Sequence, residues 1–451
     1  MTLYAENKKQ NDDMKKIIIA LALALFNLLL FGQSKQWTLE DCINYGLENN
    51  YTVKRTLLEQ QSKQVQLNTT AMSILPSAYA QINQNFDFGR SESANAVIVD
   101  NSQSSTSLGI GVQMPLFSGL KTYYQKSSDE LNLRASIYDL AQAKENITLN
   151  ITAYYLQVIL NKEILQIAKE QVKLSEEQVT RIQKLVDNGK NPESELYEAK
   201  SNLASDNLSV TKANNDYELS KLDLAQLMNI SDISCFELAT PDDADIQQML
   251  NNTLDISQIF ENSINRPAIL AAKTRIEKAH KDIMTTKSDY YPSLSLSASY
   301  GTGYYYIFQG DATINSPFGT QLSNNSREII GLSLNIPIFN KFAVSNNVKL
   351  AQIALKNQEN ELEEAQRNIT KEIQQAYNNA LASKDQYYSS HLAVEASKTA
   401  FEYEEAKYNN GASTSYDYNQ AKNKYIQAQS EEAQSKYDYI LRVKILNFYM
   451  K

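Results

Sequence analysis

Enzymatic or metal chemistry needs nucleophiles, bases or ligands gathered at fixed spacing, and this chain gathers none. Its two histidines, His280 and His391, each stand in a helical segment without a second ligand nearby. Its two cysteines, Cys42 and Cys235, could bridge in an oxidising compartment, but connectivity needs geometry, and two unpaired thiols are expected. No Ser-His-Asp or Cys-His constellation and no glycine-rich phosphate loop can be found. The expectation is a protein that is not an enzyme and holds no metal or cofactor. What recurs instead is a short punctuation mark, LVDNGKNPESELYEAKSNL at 185–203 and KYNNGASTSYDYNQAKNKY at 407–425. Gly189 falls opposite Gly411, and Ala199-Lys200 opposite Ala421-Lys422. Glycine just past a helix supplies the left-handed residue that closes it, and the next helix follows at once. Asn188, Gly189, Asn410 and Gly411 are therefore expected at the tips of two helical hairpins.

The helices that carry these tips are very long. No Gly or Pro interrupts Leu120 to Asn188, Ile338 to Asn410, or Ala412 to the C-terminus. About seventy helical residues reach on the order of 105 Å, against an average helix of about 11 residues. Ile151, Val158, Leu165, Val172, Val179 and Val186 recur every seven residues, which predicts coiled-coil packing. The register breaks at Lys144, so the packing is expected to change there.

Four other segments alternate apolar and polar residues: one from Ser77, SLGIGVQMPLFSG at 107–119, one from Ser293, and one from Ile330 to Ile338, most of which lies in GLSLNIPIFNK at 331–341. Alternation over about ten residues predicts strands with one oily and one wet face, and about 9 to 11 residues is what a tilted strand needs to cross a bilayer. Pro115 and Pro337 hold matching positions and are expected at the exits from the membrane, since proline sits at strand ends and not in a central ladder. The Ser-, Asn- and Gly-rich stretches at 89–105 and 305–327 read as loops, and Tyr304, Tyr305 and Tyr306 as part of an interfacial aromatic girdle. Four strands cannot close a barrel, and lipid tolerates no unpaired edge. An oligomer is required; three copies would supply twelve strands. The formal net charge of −9 and the absence of a basic cluster argue against a nucleic-acid partner.

The chain reads as a duplication. Residues 1–34 resemble a secretory signal peptide, with Lys15 and Lys16 before an apolar run and Gly32-Gln33-Ser34 after it; Met14 is a plausible alternative start to Met1. The first repeat spans 35–229, with a β-hairpin over about 77–116 and a helical hairpin over about 117–229. Residues 230–253 join it to a second repeat at 254–451, with a β-hairpin over about 293–338 and a helical hairpin over about 339–449.

In this doubled order the chain resembles the TolC-family outer-membrane efflux proteins. The resemblance rests on the junctions MPLFSG and IPIFNK, the strand entries ILPS and YYPS, and the tips VDNG and YNNG followed by an Ala-Lys pair. It implies a homotrimer: a twelve-stranded outer-membrane β-barrel, four strands per chain, continuous with a periplasmic α-helical barrel. Such a duct is the exit of a tripartite efflux or type I secretion system. Its partners are a periplasmic adaptor, an inner-membrane transporter of the RND, ABC or MFS class, and outer-membrane lipid. The resemblance implies adaptor docking at the tips, and a periplasmic gate closed by the second hairpin. It carries gate roles onto Tyr408 and Asp417, and an acidic role onto Glu195. Ser413 stands where the family's best-known member has arginine, and Gln420 where it has a second ring aspartate, implying a weaker latch and about half the ring charge. Two rival readings are a pore-less coiled-coil structural or adhesive protein, which leaves the strands unexplained, and a general diffusion porin, which leaves the helices idle.

Overall fold

The structure, a computed structural model, describes residues 36–92, 98–100, 102–233, 236–240, 264–308 and 315–450. The expected leader, Cys235 and positions 241–263 lie outside them. The first half runs α1 (Leu39–Asn49), α2 (Tyr51–Met72), β1 (Ser77–Asp87), β2 (Arg90–Glu92), β3 (Ile98–Asp100), β4 (Gln103–Ser118), α3 (Lys121–Asp187) and α4 (Glu193–Met228). The second runs α5 (Pro267–Lys287), β5 (Ser293–Ile307), α6 (Phe318–Asn324), β6 (Arg327–Asn335), α7 (Ala343–Asn409) and α8 (Ser415–Met450). The halves correspond in length as well as order. Helices α3 and α7 both have 67 residues, and α4 and α8 both have 36. None of the described helices is apolar enough over a sufficient length to cross a membrane.

The chain divides into two compact units, one of Thr56–Ala141 with Asn265–Arg367, the other of the remaining segments. The first holds a four-stranded antiparallel sheet in the order β1-β4-β5-β6. Its register sorts side chains as the alternation requires. Ile82 lies opposite Leu108, Ala80 opposite Ile110 opposite Tyr300, and Leu296 opposite Leu332 on one face. Gln81, Gly109, Gly301 and Arg327 share the other. The apolar face is bare on a single chain, with Ile82 75% and Ile330 81% exposed.

Several details depart from the sequence expectation. Strand β4 runs through Pro115 to Ser118, with a register shift between Pro115 and Phe117, whereas β6 stops at Asn335, before Pro337. Pro115 is therefore inside a strand and Pro337 outside one. Pro115 is tolerated because β1 ends its pairing at Gln113, leaving one edge of β4 free, and because a bulge absorbs the missing donor. The turn into each long helix comes later than the prolines, at Gly119-Leu120 (φ 63° and 68°) and Lys341-Phe342 (φ 54° and 62°), two left-handed pairs in matching places. Gly119 cannot be replaced freely, because a Cβ there would meet the Ser288 carbonyl oxygen at 2.6 Å and Tyr291 Cβ at 2.8 Å.

The loops carry structure too. A short β2–β3 ribbon occupies the first. In the second, α6 covers the part of β5 that β6 does not reach. Gln321 accepts from Tyr305 N–H at 3.0 Å and donates to its carbonyl at 2.9 Å, Asn315 does the same for Ile307, and Asn325 donates to Gly303 O. Side-chain amides thus stand in for a missing strand on residues 303, 305 and 307. Of the three girdle tyrosines, Tyr304 and Tyr306 share the face of Tyr300 and Leu108, while Tyr305 points to the other. Phe88 and Phe308 stack at 5.8 Å beside Tyr306.

The second unit is helical. Ile151, Val158 and Leu165 are buried on α3, and Val172, Val179 and Val186 half-buried, following the seven-residue series. The unit begins on α3 at Gln142, beside the break at Lys144, where Ile147 takes over the buried position. Thr38 caps α1 in a reciprocal box with Asp41. Cys42 is a buried free thiol, pushed up to about 12 by burial and the neighbouring Asp41. Its expected relation to Cys235 falls outside the described residues.

Candidate functional site

Both helical hairpins turn by the same device. Gly189 (φ 70°) donates to Val186 O at 2.8 Å and Lys190 to Leu185 O at 2.9 Å. Gly411 (φ 72°) donates to Tyr408 O at 3.1 Å and Ala412 to Lys407 O at 2.9 Å. This paired closure satisfies the last carbonyls of α3 and α7 and needs the left-handed residue that glycine supplies. Asn188 and Asn410 add side-chain bonds to Lys184 O and Ala406 O, at 2.6 and 2.8 Å. No atom lies within 4 Å of a Cβ built on either glycine. The tips are bare.

Behind the tips the hairpins differ. Ile182, Leu196 and Ala199 form an aliphatic core in the first. In the second, Phe401 and Tyr408 of α7 interleave with Tyr418 and Tyr425 of α8. Tyr408 stacks on Tyr418 at 5.0 Å, and Phe401 lies 5.5 Å from Tyr418 and 5.9 Å from Tyr425. Burial pushes the Tyr418 hydroxyl up to about 12. Ser413 donates within its own hairpin to Glu404, which also accepts from Lys407 at 3.0 Å. The Ser413 bond, then Lys407, holds the Glu404 carboxyl below the usual carboxylate range.

Near the tips, contacts cross from one hairpin to the other. The Arg181 guanidinium of α3 lies 5.5 Å from the centroid of the Tyr408 ring, and Ser415 donates to Glu198 at 3.4 Å. Burial raises the Tyr408 pKa, and the Glu195 charge raises it further. The Tyr408 hydroxyl and the amide nitrogen of the neighbouring Gln178 are buried without a well-formed hydrogen bond.

Tyr408 therefore lies within electrostatic reach of Glu195, with Arg181 over its ring. Asp417 does not join them: its carboxylate accepts from the Thr414 hydroxyl at 2.7 Å, and its N–H donates to Thr414 Oγ1, at the start of α8. With Gln420 and Lys424 it lines a groove inside the second hairpin, facing Ala396, Ala400 and Glu404. Arg181 was missed in the sequence, although Gln178, Arg181 and Leu185 fall at helical spacing on the approach to Gly189. The aromatic pairs 401/408 and 418/425 were likewise legible as seven-residue steps.

A sheet oily on one face and wet on the other, carried by a chain whose remaining helices pack as coiled coils with bare tips, defines an outer-membrane channel with a helical duct. The profile of the outer membrane efflux protein family matches residues 43–229 and 261–448, one block per half, and the chain belongs to that family. It is 20% identical over 353 residues to the outer membrane efflux protein BepC of Brucella suis biovar 1 (strain 1330), covering 78% of this chain and 72% of that protein. Its fold is similar to that of CusC (TM-score 0.74, 16% identity, 92% of each chain covered). It is also similar to the open state of the Neisseria gonorrhoeae channel MtrE (TM-score 0.72, 19% identity, 91% of this chain and 88% of that one). The protein is an outer-membrane efflux channel with a large periplasmic helical part, and its family is one of channels, not enzymes.

Proposed function

We propose that three copies of this chain close one barrel and form the exit duct of a tripartite efflux or type I secretion system. The observation that carries this reading is the sheet itself: four strands with unpaired outer edges at β1 and β6 and an exposed apolar face. An open edge has no place in lipid, and copies joined β6 to β1 remove it. The duct does no chemistry. Cargo passes through a water-filled lumen, and energy enters from an inner-membrane transporter through a periplasmic adaptor that meets the tips at Asn188, Gly189, Asn410 and Gly411.

The resting duct is closed at its periplasmic base by the second hairpin. Tyr408 is the latch, with Arg181 over its ring and Glu195 beside it, and Asp417 contributes charge at the constriction. In this chain the latch cation comes from the first hairpin, because Ser413, at the family's arginine position, is engaged within the second.

Planar-bilayer recording tests this reading. The purified wild-type channel is expected to rest at a conductance well below that of an open porin of equal strand number. A constant, wide-open, porin-like conductance would overturn the gated-duct reading.

A further inference from the structure

Lys422 is among the largest fully buried side chains in the described residues, at 2% exposure. Its Nζ donates to Ser175 Oγ at 2.6 Å and to Asp206 Oδ2 at 3.1 Å. Ser175 donates to the same Asp206 oxygen at 2.5 Å, and Gln171 to the other at 2.6 Å. Gln171 and Ser175 belong to α3, Asp206 to α4 and Lys422 to α8. The cluster thus ties the second hairpin to both helices of the first, beneath the tips.

A buried ion pair of this kind adds little stability, because desolvation offsets the attraction and well-packed apolar residues serve as well or better. What it can supply is uniqueness of register, as single buried polar residues do in coiled coils. Asp206 sits in the buried seven-residue series Ala199, Asp206, Ala213, Ser220, and Ser175 in Ala168, Ser175, Ile182. The steps flanking Asp206 are alanine. A seven-residue slide, about 10 Å, would set Lys422 against alanine or isoleucine and part the two charges from each other. The duplicate position, Lys200, is exposed and lies 5.7 Å from the Tyr197 ring centroid. On a single chain, burial thus belongs to the lysine of the second hairpin and not to its duplicate.

We propose that Lys422, Asp206 and Ser175 form a register lock that fixes the level at which the second hairpin seats on the first, and so aligns Tyr408 with Arg181. Their role is positioning. The consequence for the latch rests on the gated-duct reading; the lock itself does not.

The test is the double variant K422M/D206L in the full-length channel. Spin labels are placed at E176C on α3 and K424C on α8, in a C235S background, in trimers diluted with unlabelled chain. The unsubstituted pair is expected to give one label distance, and K422R to keep it. The double variant is expected to assemble and melt no lower than the parent, yet to show a second distance population from slipped hairpins. A double variant with the single parental distance overturns the lock. One that no longer assembles also overturns it, since the pair would then supply stability and not register. Bilayer recordings on the same samples keep the two ideas apart: a parent channel that stands open sinks the gated-duct reading and leaves the label distances to decide the lock.

Discussion

Replacing Arg181 with alanine is expected to raise the open fraction of the channel on the order of 100-fold. A cation over an aromatic ring is worth about 1 kcal/mol at a half-exposed site, and three such contacts released together in a ring amount to about 3 kcal/mol. The tip contact that remains between the hairpins, Ser415 to Glu198 at 3.4 Å, is exposed and weak. Tyr408→Phe separates the ring from the hydroxyl. It keeps the face that Arg181 covers and removes a buried hydroxyl that has no good partner, so its open fraction is expected at or below that of the wild type. Single-channel recording of both variants checks the pair. An R181A channel that opens no more than the parent would remove Arg181 from the latch.

Much of this architecture was legible in the sequence, because its signals are long and doubled. Glycine-free runs of some seventy residues leave little choice but helix, and the tip glycines fix where each run ends. The break at Lys144 marked a real change of packing. Strand ends were less legible. Alternation continues through Ile336 and Ile338, but pairing stops at Asn335. Alternation reports which face a side chain takes and not whether a neighbour supplies hydrogen bonds. Pro115 was misplaced for the same reason: its effect depends on where β1 ends, which no local pattern contains. The amide side chains of Gln321, Asn315 and Asn325 that complete the edge of β5 lie in a stretch that composition marks only as loop. At the candidate site, Tyr408 and Glu195 came from family resemblance. Arg181 and the Lys422 cluster did not, because contacts between separate helices are set by register, and Lys422 and Lys200 share a motif although, on a single chain, one is buried and the other exposed.

Gly411→Trp and Gly189→Trp are expected to abolish export while leaving the channel inserted in the outer membrane. Neither position is crowded: a Cβ built on either glycine meets nothing beyond its chain neighbours within 4 Å. The left-handed backbone costs any side chain about 1–2 kcal/mol, which a helix closure with two backbone bonds and an asparagine cap can absorb. The bulk, however, lies where an adaptor's helical hairpin would meet the tip. Loss of a central docking contact of about 2 kcal/mol or more weakens binding on the order of 30-fold. The alanine variants carry the backbone strain without the bulk and are expected to export nearly as the wild type does. Drug susceptibility of cells carrying each variant, normalised to channel recovered from outer membranes, gives the comparison. Full export by correctly inserted tryptophan variants would place docking elsewhere.

The most direct test is the mass of the species extracted from the outer membrane, measured by native mass spectrometry in detergent. Three chains per particle is the expected result, since only a closed ring of sheets leaves neither β1 nor β6 with a free edge. A monomer recovered in aqueous buffer without detergent, away from the membrane fraction, would contradict it.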